Sequence, residues 1–432
     1  MAQLKKAIVV GTGAGGATAA KELQGTFDVT MLEAGKEFRP FRANLARVEK
    51  LKKRGLMFDE REIQFLFPAM KIRKTEDRVV VINGIGLGGT TTLATGNALR
   101  MDGGLRKLGI DLDAEFEELY REVPVSTRHQ RRWRATTQRL FQACNELGLA
   151  PQPLPKMGDH SRCINCGRCV FGCDHGAKWD SRQFVGMAIE QGAQLTTNAR
   201  VEKVVIKDGA AVGVISRQGW RSMYYPADLV ILAAGGLGTP IILEQSGIKC
   251  ESSLFVDPVL CAAVEWKCAF QNHEIAMPFV VQRNGFIVSP YFDYLSFFFN
   301  REWNYPADDT LSIMVKIADT AEGEISKKGI RKTLNDEDRN KFIEGAAVCF
   351  EVFGKLGIDR QKVFMGTVNA GHPGGMLPLT QKEAKTFHHD HLPENLYVAD
   401  ATLFPSSLGN PPIFTIMAMA KRIGKLCRQK AA

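Results

Sequence analysis

The sequence has no long uninterrupted apolar run. Its most hydrophobic stretch, Leu229 to Leu243, is broken by Gly235, Gly236, Gly238 and Pro240, which excludes a membrane-spanning helix there, since about 20 consecutive apolar residues are needed to cross a bilayer. The start, Met1 to Lys6, places two lysines before a strand-like segment, with no apolar core and no twin arginine. A secretory leader is therefore not expected, and a soluble, cytoplasmic protein is. Repeats and low-complexity segments are absent, which removes solenoids and biased tails from consideration. Nothing resembles a nucleic-acid-binding module. The net charge of +9 comes partly from local runs such as Arg128 to Arg134. These read as solvated faces, with docking of an acidic protein or an anionic membrane surface as the alternative.

What is present suits a large globular chain. At 432 residues and 45% hydrophobic content, it can bury a sizeable core and form two or three domains. Ten cysteines without an export signal point to metal or redox chemistry rather than a disulfide framework. Four lie between Cys163 and Cys173. Cys144, Cys250, Cys261, Cys268, Cys349 and Cys427 are scattered and read mostly as small buried hydrophobes.

The chain is organised around Ala7 to Ala17. An apolar strand runs into Gly11-x-Gly13-x-x-Gly16 and then a helical pattern, and a second strand, Asp28 to Leu32, ends at Glu33. This is the fingerprint of an α/β dinucleotide site. Gly11 permits the tight turn, Gly13 lets backbone approach a diphosphate, Gly16 lets helix pack on strand, and Glu33 sits where a ribose hydroxyl would be bound. Residues 41 to 80 read as a basic, partly helical excursion. A strand at Val79 to Ile82 then meets a second glycine-rich turn, Gly84 to Thr91, expected to join the same site because its backbone is open to close approach.

Helical patterns at Leu112 to Val123 and Ala135 to Leu147 are expected on the outside of the nucleotide domain. A helix at Ser181 to Gln191 and strands at Gln194 to Thr197, Val201 to Ile206 and Ala211 to Ser216 lead to a buried strand, Leu229 to Ala234. From about Phe255 to Phe364 phenylalanine and tyrosine become frequent, as in Phe292 and Phe297 to Phe299, which suits an apolar substrate pocket. A last strand, Asn395 to Ala399, ends at Asp400, and Ile413 to Leu426 forms an apolar helix. His388, His389 and His391 beside Asp390 read as a loop before that strand rather than a metal site.

The segments VVGTGAGGATAAKEL...VTMLEAG, GLGGTT, ILAAGGLGTPIIL and NLYVADATLFPSSLGNPPIFTIMAMAKRI resemble, in order and over nearly the whole chain, the glucose-methanol-choline family of flavoprotein oxidoreductases. The resemblance implies a Rossmann-like FAD-binding domain over 1–254, a smaller α+β substrate domain over 255–364, and a C-terminal return over 365–432. It implies FAD held by Gly11, Gly13, Ala14, Gly15, Gly16 and Glu33 at the adenosine and diphosphate, and by Gly88, Gly89, Thr90 and Thr91 at the diphosphate and ring side. Val201 would hold the adenine by its backbone and Asp400 the ribityl-phosphate region, with Ala234, Gly235 and Asn410 also lining the cofactor. No histidine occurs between Asn83 and Arg100, where some members tether FAD, so FAD is expected to be non-covalent.

His372-Pro373-Gly374-Gly375 resembles the histidine motif of the cholesterol-oxidase branch, one residue shorter, and Asn410-Pro411 matches its partner asparagine. His372 is then expected to take an alcohol proton while hydride leaves for the flavin, with Asn410 orienting the oxygen or capping the last helix. Ala94 replaces the asparagine that often follows the middle motif, with Asn97 three positions on.

Cys163-x2-Cys166-x2-Cys169-x3-Cys173 matches the bacterial ferredoxin run, apart from Asp174 in place of proline. An iron–sulfur cluster, of the 4Fe–4S type or with three cysteine ligands, is expected on this loop at 160–175. Structural zinc or an unligated loop are the alternatives. The expected function is an FAD-dependent dehydrogenase oxidising an alcohol, or reducing a carbonyl, with electrons relayed through the cluster to a one-electron carrier or partner subunit. The alternative is an electron-transfer subunit of a larger redox complex.

Overall fold

Ala7-Ile8-Val9-Val10 and Leu229-Val230-Ile231-Leu232 are apolar at every position and buried throughout. Such runs are stable only in a parallel sheet covered on both faces. In the computed structural model, which describes residues 4–42, 45–55 and 59–431, they are neighbours in a five-stranded parallel sheet. Its order is Leu396–Val398, Leu229–Leu232, Lys5–Val10, Phe27–Leu32, Gln194–Thr196. The first three residues of the Met1 to Lys6 start lie outside the described residues.

The helices Ala14–Glu22, Arg182–Glu190 and Ile413–Ala431 pack together beside this sheet. Gly424 lets the last helix approach closely, because a Cβ there would stand 2.6 Å from Glu22 Cβ. Lys421, buried in the same contact, lies 2.5 Å from a Glu22 oxygen, 2.8 Å from Glu122 and 3.1 Å from Glu118. A three-stranded antiparallel sheet, Arg200–Lys207, Ala210–Gln218 and Arg221–Pro226, completes this part of the molecule.

A second, mostly antiparallel sheet runs Met70–Lys74, Val80–Gly84, Asn369–Ala370, Pro258–Glu265, Thr310–Ile317, Phe286–Pro290, Phe279–Arg283, Gln152–Pro153. It draws strands from before and after residues 255–364. Strand Thr310–Ile317 is buried on both faces, and its alternation decides what each face does. Leu311, Ile313, Val315 and Ile317 pack with Phe342, Val352 and Phe353 of helix Asp336–Lys355. Met314 and Lys316 face a large cavity on the other side.

Helix Ala135–Glu146 corrects the expectation that it lies outside the nucleotide domain. Leu140, Ala143 and Cys144 pack with Phe279 and Val264 against the second sheet, where amphipathic periodicity alone could not say which sheet the apolar face would choose. Strand Met70–Lys74 lies within the stretch expected to be a helical excursion. Cys144, Cys261, Cys349 and Cys427 are buried as expected, but Cys268 is exposed. Among the described residues, no helix is long and apolar enough to cross a membrane.

Candidate active site

The first glycine turn joins the strand Lys5–Val10 to the helix Ala14–Glu22, and its glycines do different work. Gly11 has φ +95°, and a Cβ there would meet Ala233 O at 2.4 Å. Gly15 and Gly16 sit against backbone, with Ala399 O at 1.6 Å and Gly11 O at 2.0 Å from where a Cβ would be. In front of Gly13 there is open space, with Gly89 Cα 4.0 Å away. Gly11, Gly13, Ala14 and Gly15 line a cavity of about 640 Å³ together with Glu33, Gly89, Thr90, Thr91, Val201, Ala234, Gly235 and Asp400. Gly16 and Gly88 stand behind its wall.

Glu33 already serves the turn. Its Oε2 accepts Thr12 N at 3.1 Å and Thr12 Oγ1 at 2.6 Å, and its Oε1 accepts Gly35 N at 2.9 Å. Burial pushes its pKa up despite these bonds. Asp400 is buried at the start of helix Gly235–Gln245, accepting Gly235 N at 2.8 Å and Thr239 Oγ1 at 2.5 Å. Its negative charge suits the positive end of that helix.

Ser181, which sequence reasoning did not single out, ties both glycine turns together. Its Oγ donates within 2.8 Å of Thr12 O and 2.9 Å of Gly88 O, and Thr91 Oγ1 lies 3.0 Å away.

The facing wall is cationic. Lys71 and Arg73 lie two residues apart on one face of the strand Met70–Lys74 and line the same cavity as Arg200. Arg73 donates to Asn83 Oδ1 at 2.7 Å, and among the described residues none of the three is paired with a carboxylate. Burial and mutual repulsion lower the pKa of Lys71 and Arg73. Three cations sharing a cavity wall without a counter-charge make a place for an anion.

At the other end of the cavity lies His372, with Lys316, Asp293, Tyr291, Tyr294, Phe298 and Asn369. His372 Nδ1 is buried with no hydrogen-bond partner and faces Asp257 Oδ2 at 3.6 Å. That oxygen accepts Lys316 Nζ at 2.5 Å. Burial raises the Asp257 pKa, but Lys316 and then His372 outweigh it and hold the carboxyl at about 2. Burial lowers the His372 pKa, Lys316 lowers it further, and Asp257 opposes both.

Asp257 Oδ1 accepts Ser407 Oγ and, at 3.2 Å, Gly409 N. One carboxylate thus touches His372 and the loop carrying Asn410. Asn410 itself is outside the cavity lining, its Oδ1 accepting Gln282 Nε2 at 3.0 Å. Neither Asp257 nor Lys316 was foreseen. The available signal was Lys316 as the one charged residue in the run Thr310–Ile317, since a charge inside a buried strand must find a partner.

Cys163, Cys166, Cys169 and Cys173 are all partly buried. The other three thiols are near enough to Cys163 to oppose its ionisation, adding to burial. Among the described residues, however, no three His, Cys, Asp or Glu side chains come together as a metal-holding group. The expected four-cysteine ligand set is therefore not supported.

The loop itself is gripped by its backbone. Lys178 Nζ reaches Thr92 O and Ala94 O at 2.7 Å each and Cys169 O at 2.9 Å, and Arg132 holds Cys163 O and Ser161 O. What the loop gives the cavity is Val170 and Phe171.

Residues 6–260 match the model of the GMC oxidoreductase family. The chain belongs to that family. This GMC oxidoreductase is 25% identical over 419 residues to an uncharacterised protein of Methanocaldococcus jannaschii, covering 96% of this chain and 97% of that one. It is 22% identical to a long-chain-alcohol oxidase of Arabidopsis thaliana over 67% of this chain and 50% of that protein. The match to a GMC-type oxidoreductase of Mycobacterium tuberculosis covers 56% of this chain and 39% of that one at 28% identity.

Among solved structures, a pyridoxine 4-oxidase superposes with a TM-score of 0.71 at 15% identity, covering 98% of both chains. A formate oxidase follows at 0.70 and 14%, covering 99% of this chain and 98% of that one. These likenesses establish the mixed α/β flavoprotein fold with its Rossmann-like domain.

Proposed function

We propose that this GMC oxidoreductase binds FAD non-covalently in the 640 Å³ cavity and oxidises an alcohol, or reduces a carbonyl, at the His372 end. The observation that carries the reading is that a partly enclosed imidazole with its pKa lowered shares one cavity with the open glycine turn at Gly13 and with cations that no described carboxylate pairs. The residues present fit the dinucleotide. Gly13, Gly15, Gly89, Thr90 and the N-terminus of helix Ala14–Glu22 would take the diphosphate. Lys71, Arg73 and Arg200 would balance its charge, and Glu33 and Val201 would take the adenosine. Bound there, FAD supplies the hydride acceptor.

The chain's own part is proton handling and orientation. His372, kept neutral by burial and by Lys316, accepts the hydroxyl proton of the substrate. Asp257 behind it stabilises the imidazolium that results. Tyr291, Tyr294, Phe298, Phe171 and Met277 give the substrate space apolar walls, which suits a bulky or long-chain alcohol, the class named for the plant relative. Asn410, engaged by Gln282, holds its loop on the second sheet. The relay through a cluster is not part of the proposal, because among the described residues no metal-holding group is found, and with it goes the reason for naming a one-electron acceptor. The electron-transfer-subunit reading loses ground for the same reason.

The test is the absorption spectrum of the purified protein under anaerobic conditions, with 1-dodecanol and pyridoxine as probes. Flavin bands that bleach with a probe in the wild type and persist in His372→Ala support the proposal. Absence of flavin, or equal bleaching in His372→Ala, refutes it.

A further inference from the structure

Behind His372 the second sheet carries two linked buried ion pairs. Lys316 meets Asp257 at 2.5 Å, with side chains 2% and 1% exposed, and Lys332 meets Asp319 at 3.0 Å, both fully enclosed. Asp319 accepts Asp257 N at 2.8 Å and Val256 N at 3.1 Å. It thereby clamps Asp257 in a left-handed conformation, φ +52°, that a non-glycine residue seldom adopts. Strain of this kind is held where the surrounding structure over-determines it, most often beside functional groups.

Both carboxylate oxygens of Asp257 are engaged. Oδ1 takes Ser407 and Gly409, and Oδ2 takes Lys316 and faces His372 Nδ1. That nitrogen is buried and has no partner, an arrangement that a buried polar group does not favour. At 3.6 Å a small movement of the ring closes the contact. Catalytic hydrogen bonds are often long in the empty site and tighten on loading.

We propose that Asp257 and Lys316 are a positioning pair for His372, in which Asp257 fixes Nδ1–H so that Nε2 is the atom offered to the substrate, and Lys316 fixes Asp257. The pair acts through His372 and rests on the reading of that residue as the proton acceptor. Lys332 and Asp319 form the layer behind and hold the backbone from which Asp257 projects. The groups acting on the His372 charge are therefore the Asp257 carboxylate beside it and the Lys316 ammonium beyond, with Asp319 and Lys332 one layer further.

The two partners push the imidazole in opposite directions, and that opposition separates positioning from mere support of the fold. The experiment is a pH titration of the histidine Cε1–H signals of the FAD-loaded protein by NMR, with His372 assigned as the signal missing in His372→Gln. Lys316→Met leaves the imidazole facing an unshared carboxylate and is expected to raise the His372 midpoint by about one unit or more. Asp257→Asn leaves it facing the ammonium and is expected to lower the midpoint similarly. Asp257→Asn should also remove the preference for the Nδ1–H tautomer seen in ¹⁵N shifts.

Midpoints that do not move, or that move in the same direction in both variants, overturn the proposal. If Asp257→Asn does not fold, Lys316→Met decides alone, an upward shift supporting and an unchanged midpoint overturning. Because the titration needs no substrate, its failure is distinct from failure of the functional reading, which shows instead as undiminished flavin bleaching in His372→Ala.

Discussion

Replacing Asp293 by asparagine should make the protein more stable at neutral and alkaline pH, though it alters a fully buried polar group in the cavity wall. Asp293 caps the short helix Tyr294–Phe299, accepting Leu295 N at 3.1 Å and Ser296 Oγ, with Asn369 Nδ2 at 3.4 Å. Among the described residues no cation is paired with it. Burial outweighs these hydrogen bonds and raises its pKa from 3.8 to about 6.

The folded state therefore binds the proton more readily than the unfolded chain. The stability associated with this group is complete below about pH 4 and is lost as pH rises through about 6. A two-unit shift corresponds to about 3 kcal/mol. Asparagine keeps the capping oxygen and carries no charge to bury, so Asp293→Asn should gain up to about 3 kcal/mol at pH 8 and close to nothing at pH 4. The assay is the urea midpoint of wild type and variant at both pH values, with the slope checked for constancy. A difference that is the same at the two pH values, or a variant less stable at pH 8, would refute the argument.

The glycines of the first turn should separate folding from cofactor retention. Gly15→Ala drives a Cβ into Ala399 O and should cost about 1–3 kcal/mol in thermal or urea unfolding. Gly13→Ala points into open space and should leave stability within about 0.5 kcal/mol while lowering the ratio of flavin to protein absorbance. Arg73→Gln should release FAD at lower salt than wild type in a gel-filtration series, because it removes one of three cations from the diphosphate side; unchanged retention would detach the cluster from the cofactor. Lys178→Met strips a caged ammonium from carbonyls of both the glycine turn and the cysteine loop. It should destabilise by about 2–4 kcal/mol and speed the reaction of the loop thiols with a disulfide reagent.

The glycine turns were legible because their constraint is local. A strand, three glycines and a helix within about a dozen residues say how the backbone must run, whatever else the chain does. Glu33, His372 and Asp400 could be placed in the same way, each at the end of a recognisable segment. Asp257 and Lys316 could not, because their meeting depends on the pairing of Pro258–Glu265 with Thr310–Ile317, a register that no short stretch encodes. The cysteine run shows the opposite hazard. Its spacing is local and specific, yet the loop backbone that carries it is held by Lys178 and Arg132 from elsewhere in the chain, which spacing does not reveal. Helix Ala135–Glu146 was misplaced for a similar reason, since periodicity tells which face is buried but not against what.

The order of strands in the parallel sheet also bears on how the molecule comes into being. The strand at its centre, Lys5–Val10, is made long before its edge strand, Leu396–Val398. Ala399, directly after that edge strand, supplies the carbonyl against which Gly15 is packed. Until Ala399 is in place the nucleotide turn lacks its backing, and strand Leu229–Leu232, which pairs with Leu396–Val398, keeps one flank unpaired while most of the second sheet forms.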